Sequence, residues 1–255
     1  MIEPIDILAD LHVHTVNSLH AYSTITECID AAREKGIEYL GITDHFYGEE
    51  RIREENELVA MRYMRNEVQK YYNDITLVNG GEFNVAVDLS SMRDSAKKRL
   101  SEINWKLLGI HSWFYKPSKH GYRTTIEHFI ETAKQLQPTA FAHIEREISC
   151  YSINEIKEII CAVVGYAIKN DIILEINESS LSREPDSPTA PVEVMKLWIP
   201  YAIEHNAYFS LGSDSHYHKA IGNFDKCLEL VNSFGIPRSR IINCDRAALK
   251  ALIKY

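Results

Sequence analysis

Three histidines fall close together near the N-terminus, His12, His14 and His20, within the stretch Asp10-Leu-His-Val-His-Thr-Val-Asn-Ser-Leu-His-Ala-Tyr-Ser23. Imidazoles at i and i+2 at the end of a strand project the same way, because side chains alternate with period two. Both can then meet one ion. An isolated His-x-His pair is more often two half-buried histidines with ordinary hydrogen-bond partners, but here the pair has company. Short apolar runs ending in a His, Asp or Glu recur along the chain. They are Ile5 to Ala9 before His12, Tyr39 to Ile42 before Asp44-His45, Ile75 to Val78 before Glu82, and Leu107 to Ile110 before His111. Thr139 to Ala142 before His143, Ile172 to Leu174 before Glu175, and Ala207 to Leu211 before Asp214 and His216 complete the set. Ligand-type residues thus close seven candidate strands, and parallel β/α barrels build their active sites at that end of the strands. Imidazole and carboxylate suit zinc, iron or manganese, and no thiolate occurs at these positions.

The elements that must hold these residues alternate strand with helix, which predicts a parallel sheet or barrel. In the first helix Ser23 or Thr24 can cap, Ile25, Cys28, Ile29 and Ala32 form an apolar face, and Gly36 ends it. Residues Glu49 to Tyr72 predict a longer charged helix with Leu58, Met61, Met64 and Val68 as its buried stripe. Helical periodicity continues over Thr125 to Gln137, Asn154 to Lys169, Val192 to Asn206, Asp225 to Phe234 and Asp245 to Ile253, with Pro200 expected to kink or break its helix. The stretch Ser179 to Pro191, with three prolines, is expected as a loop at the mouth of the site.

With 255 residues, 45% of them hydrophobic, the chain can form one large α/β domain over residues 1–255 without disulfides. Five scattered cysteines without a Cys-x-x-Cys pair read as reduced thiols, and no long apolar segment or leader is evident, so a cytoplasmic protein with no membrane association is expected. The net charge of −8 argues against a nucleic-acid substrate and suits a small phosphorylated molecule drawn to bound cations.

Taken together, Asp-Leu-His-Val-His-Thr at 10 to 15, Ile-Thr-Asp-His at 42 to 45, Gly-Gly-Glu at 80 to 82, Gly-Ile-His at 109 to 111, Ala-His at 142 to 143 and Gly-Ser-Asp-Ser-His at 212 to 216 resemble the PHP (polymerase and histidinol phosphatase) superfamily. Ser18-Leu-His-Ala-Tyr-Ser23 and Leu174-Glu-Ile-Asn-Glu-Ser-Ser180 resemble its stand-alone bacterial phosphatase branch. The resemblance implies a distorted seven-stranded (β/α)7 barrel. It also implies three divalent metal ions, zinc first and manganese or iron as alternatives, and trimers among relatives imply a homo-oligomer. By the same resemblance His12, His14, Glu82 and Asp214 hold the first ion, Glu82 bridges to a second held by His111 and His143, and His20, His45 and His216 take the third. Nine such ligands exceed what one ion uses. The sequence departs from the branch at His143-Ile-Glu-Arg-Glu147, where an arginine and two acids are more similar to the histidinol phosphatase branch.

The expected activity is that of a metal-dependent phosphoesterase hydrolysing small-molecule phosphomonoesters through a metal-bound hydroxide. Asp44, Glu82 and Asp214 form the expected catalytic set, although Asp44 reads better as the carboxylate that orients an imidazole. Arg146 is expected either to clamp a substrate phosphate or to pair with Glu145 or Glu147 as a solvated ion pair. Glu175, Asn177 and His218 are expected on the substrate side, whereas His128 and His205 read as structural. Trp113, Phe114 and Tyr115 are either an aromatic wall or loop packing. Rival activities are a histidinol-phosphate phosphatase, a 3′ exonuclease-type PHP phosphodiesterase and an amidohydrolase, and outside catalysis a silent metal-binding module.

Overall fold

The apolar runs become the staves of one parallel sheet. In the computed structural model, which describes residues 1–46, 51–183 and 189–252, the strands are β1 (Ala9–Val13), β2 (Tyr39–Ile42), β3 (His45–Phe46), β4 (Thr76–Asn84), β5 (Trp105–Gly109), β6 (Ala140–Phe141), β7 (Ile173–Asn177) and β8 (Phe209–Gly212). Their order is β1-β2-β4-β5-β6-β7-β8, every pairing is parallel, and β3 lies beside the far half of β4 as the continuation of β2. The helices between them are α1 (Ile25–Glu34), α2 (Arg51–Val68), α3 (Asp94–Ser101), α4 (Tyr122–Leu136), α5 (Ile153–Lys169), α6 (Glu178–Leu181), α7 (Pro191–Glu204), α8 (Asp225–Ser233) and α9 (Arg246–Ala251). This is the α/β seven-stave barrel that the sequence predicts. No helix among the described residues is long and apolar enough to cross a membrane.

Local sequence explains most boundaries. Thr24 caps α1 in a capping box with Glu27, and Gly36 at φ +72° ends it, a conformation that costs a residue without Cβ little. β1 lies four residues later than expected, because Pro4–Asp6 form a 3₁₀ turn; His12 therefore sits inside the strand rather than beyond it. Pro200 does not break α7. It lies on the solvent face, where water can satisfy the carbonyl that loses its intrahelical donor. The start at Glu49 expected for the second helix and residues 184–188 of the expected loop lie outside the described residues, and α6 occupies that loop's beginning.

The barrel closes between β1 and β8 through the segments that carry ligands. The Asp214 N–H donates to the His12 carbonyl and the His14 N–H to the Ser215 carbonyl, each at 2.9 Å. Lower on the same seam Asn243, fully buried, substitutes for strand pairing: its amide donates to the carbonyls of Ala9 and Leu211 at 2.9 Å and accepts from the Leu211 N–H at 2.7 Å. Beneath the site the interior is filled by Ala9, Leu11, Val78, Trp105, Leu107 and Ile242.

Asn243→Ala would leave two carbonyls and one N–H buried without partners. At the usual cost of an unmade buried hydrogen bond this should destabilise the fold by about 2–4 kcal/mol. Urea denaturation is the check, and a change under about 0.5 kcal/mol would mean that the seam does not depend on this side chain.

Candidate metal centre

The nine expected ligands converge at the C-terminal ends of the strands. Glu82, fully buried near the end of β4, is the hub. Its Oε1 lies 2.6 Å from His143 Nε2 and 3.2 Å from His111 Nε2. Its Oε2 lies 3.0 Å from His45 Nδ1, 3.3 Å from His14 Nε2 and 3.4 Å from His12 Nε2. Asp214 Oδ1 stands 3.3 Å from His14 Nε2 and 3.6 Å from His12 Nε2. At the rim, His20 Nε2 and His216 Nε2 face each other at 2.8 Å.

Acceptors on the outer edges of the rings determine what their inner nitrogens present. His12 Nδ1 meets Glu175 Oε1 at 2.7 Å, His111 Nδ1 meets Asn84 Oδ1 at 2.5 Å, and His216 Nδ1 meets the Asp214 carbonyl at 3.1 Å. His14 Nδ1 lies 3.1 Å from Ser18 Oγ; that hydroxyl donates to Asp44 Oδ1 at 2.6 Å, so it accepts from the ring. In all four neutral rings the proton is therefore held on Nδ1, and Nε2 turns a lone pair inward. With both rings neutral, the Nε2 atoms of His12 and His14, 3.1 Å apart, face each other beside two carboxylate oxygens with no donor between them. Acceptors alone repel. A cation relieves them, and the imidazole and carboxylate donors suit a transition metal.

Charge follows the same logic. Burial acts most strongly against ionised Glu82, yet His111, His45, His12 and His143 hold its carboxyl well below the usual range. Burial likewise opposes ionised Asp214, but His12, Arg146 and His14 keep it an anion. Burial pushes His14 well down and His111 to about 4. His12 runs the other way: against its burial, the carboxylates of Glu175, Glu82 and Asp214 raise it well above the ordinary value. One proton on His12 thus does for the metal-free cluster part of what a cation would do, and metal must displace it.

The backbone is bent to fit. His143 at φ +31° and Asp214 at φ +53° both occupy the left-handed region, which costs non-glycine residues energy and is typical of positions held for function. Glycines clear the space around them. A Cβ at Gly109 would stand 2.7 Å from His143 Cε1, and one at Gly212 would lie 2.8 Å from His12 Cβ and strike the Glu175 carboxylate.

The other expected residues fall in distinct places. Asp44 accepts from the Thr15 N–H, the Thr15 hydroxyl and Ser18, and so reaches His14 through Ser18. Arg146 pairs with neither Glu145 nor Glu147. Its Nη1 lies 2.8 Å from Asp214 Oδ2 and its Nη2 donates to Ser179 Oγ at 2.7 Å, both largely out of solvent. Glu175 and Asn177 are buried: the second oxygen of Glu175 accepts from the His143 N–H at 3.2 Å and from Asn177 Nδ2 at 3.0 Å. His218 bonds to Ser23 at 3.0 Å, and its ring lies tilted beside that of Tyr217. Trp113 stands edge-on to His45 and tilted to His111, each at 5.6 Å, whereas Tyr115 packs its own loop against His120 and His128. Asn84 and Ser18 escaped the sequence reading, although Asn84 lies two residues beyond Glu82 on the same strand face.

Two predictions follow from these contacts. In Glu175→Gln the amide can donate to His12 Nδ1 and move the ring proton to Nε2, so metal affinity should fall about 10- to 100-fold with the fold intact. Competition with a chromophoric chelator measures this, and wild-type affinity would show that Glu175 does not set the tautomer. The second concerns Glu145, which is fully buried; burial raises it from 4.5 to about 7, against the lowering effects of His143 and Ser180. A raised acid holds its proton longer folded than unfolded, so its contribution is intact below 4.5 and is lost as pH rises through about 7. Metal-free Glu145→Gln should gain stability over wild type across that window, on the order of 1–3 kcal/mol. Parallel pH-stability profiles would argue against the buried acid.

Known proteins resemble this chain. The PHP domain family model matches residues 10–179. A "Probable phosphatase" of Shewanella loihica is 29% identical over 95% of this chain and 91% of its own length, and a "Probable phosphatase YcdX" of Shigella flexneri is 28% identical over 92% and 89%. Among solved structures, histidinol phosphate phosphatase from Lactococcus lactis, complexed with zinc, L-histidinol and phosphate, superimposes with a TM-score of 0.62 at 17% identity, covering 90% of this chain and 94% of that one. With the family model matching two thirds of the chain and the barrel and its histidine–carboxylate cluster in place, the chain belongs to the PHP domain family.

Proposed function

We propose that this chain is a metal-dependent phosphatase that hydrolyses small phosphomonoesters, with three divalent ions, zinc foremost, at the site. The observation that carries the reading is the set of inward-facing imidazole lone pairs around Glu82 and Asp214, fixed by outward hydrogen bonds. The names of the relatives point the same way, and the Lactococcus enzyme supports zinc and phosphate as occupants of this kind of site.

Divalent ions bound in such a centre activate water and neutralise the phosphoryl oxygens. The chain's own residues do the rest. Glu82 offers one oxygen to the His111–His143 side and the other to the His12–His14–His45 side, so it is assigned as the bridge. Asp214 turns Oδ1 to the histidines while Arg146 holds Oδ2. That ion pair orients a ligand, and the guanidinium charge beside it favours an incoming anion. Asp44 and Glu175 are positioning residues, acting through Ser18 and His12. His20 and His216, at the rim, are assigned with His45 to the third ion.

Phosphate release from a panel of esters tests this. Metal-loaded protein should hydrolyse monoesters, histidinol phosphate among them, faster than a phosphodiester. Release from no monoester, or faster cleavage of the diester, would contradict the reading. Glu82→Gln keeps the size of the hub and removes its charge. It should lower turnover by at least about 100-fold, the scale of losing one electrostatic stabiliser, and near-normal turnover would remove Glu82 from the mechanism.

A further inference from the structure

The loop between β5 and α4 begins at a ligand and carries an indole back over it. The N–H groups of Phe114 and Tyr115 donate to the His111 carbonyl at 3.0 and 2.7 Å, so Trp113 projects from a tight turn directly after His111. Trp113 is 46% exposed, whereas the chain's other two tryptophans, Trp105 and Trp198, are buried. Its ring nevertheless lies 5.6 Å from those of His45 and His111, which are themselves buried. The indole thus stands on the solvent side of two imidazoles that are assigned to different ions.

A chain of hydroxyls fastens the far end of this loop. Tyr151, in the segment between β6 and α5, donates to the carbonyls of Pro117 at 2.7 Å and His120 at 2.8 Å. With that proton committed, the 2.7 Å contact between the Tyr151 and Thr125 hydroxyls is donated by Thr125, which is buried in the first turn of α4. Thr125 then accepts from Tyr115 at 3.3 Å, and the buried Tyr115 accepts from His128 Nδ1 at 3.1 Å. The Tyr115 ring lies parallel to that of His120 at 4.7 Å. Every bond in the chain therefore runs one way, from α4 through Tyr115, Thr125 and Tyr151 to the loop backbone.

We propose that this clasp is a metal-retention device, in which Tyr151 is a positioning residue that holds Trp113 over His45 and His111 and so slows loss of the ions those imidazoles hold. The proposal rests on the three-ion assignment above. By that assignment the ion at His12, His14, Glu82 and Asp214 touches neither His45 nor His111, so the device should act on two ions and spare one. An indole beside an imidazole adds an aromatic contact and excludes water from the ring, and such contacts change an equilibrium by several-fold each.

Transfer of zinc from loaded protein to a chromophoric chelator measures the effect without turnover. Tyr151→Phe and Trp113→Ala should each speed the faster phases of release by about 3- to 10-fold, the range that one aromatic contact supplies, and leave the slowest phase unchanged. Trp113→Phe, which keeps a ring, should restore most of the retention. Because the other two tryptophans are buried, acrylamide quenching reports on Trp113, and it should increase in Tyr151→Phe if the clasp holds the indole in place. Thermal melts of the metal-free variants confirm folding, and Trp113→Ala removes an exposed side chain, so it tests the cover even if Tyr151→Phe folds poorly. Wild-type release from Trp113→Ala overturns the proposal, as does equal acceleration of every phase or unchanged quenching in folded Tyr151→Phe. If wild-type protein holds no zinc at all, the metal-centre reading itself falls and the clasp assignment with it.

Discussion

The constraint on which the site depends is the placement of protons on the outer nitrogens of its histidines. Glu175, Asn84, the Asp44–Ser18 pair and the Asp214 carbonyl each accept from an Nδ1–H, so the neutral rings of His12, His111, His14 and His216 turn Nε2 lone pairs to the inner face of the cluster. Were any of these acceptors replaced by a donor, one Nε2 would carry a proton and the repulsion that calls for a cation would fall. Carboxylates and amides behind the ligands matter here as much as the ligands themselves.

Closure of the barrel and construction of the site are one problem rather than two. The hydrogen bonds that join β1 to the segment after β8 run through His12, His14, Asp214 and Ser215, so closing the sheet sets the spacing of three ligands. Asn243 reinforces that seam from below with three further bonds. The strained backbones of His143 and Asp214 are tolerable because this frame fixes both sides of each residue. Gly212 shows how little room remains, since even a methyl group there would displace Glu175 and press on His12.

Much of this was legible in the sequence. The ligands are histidines and acids at the ends of apolar runs, a local pattern, and β2 falls where periodicity puts it at Tyr39–Ile42. Helix caps such as Thr24 with Glu27 are equally local. What the sequence hid is long-range. Glu175 lies 163 residues from His12, and Asn243 reaches 234 residues back to Ala9. Nothing in the type or neighbours of either residue announces those partners. Arg146 shows the same limit: its flanking acids suggested an ion pair, yet folding brings it Asp214, from two strands further on. The delayed start of β1 has another cause, the local preference of Pro4 for the first turn of a helix over a ladder position.

The central claim, that inward lone pairs make this a multinuclear cation site, is tested most directly by counting ions. Elemental analysis of metal-replete protein, freed of loosely bound ions by gel filtration, should give three divalent ions per chain. Adding metal to chelator-stripped protein should release protons as His12 gives up its charge. One ion or none per chain, or binding without proton release at neutral pH, would contradict the account.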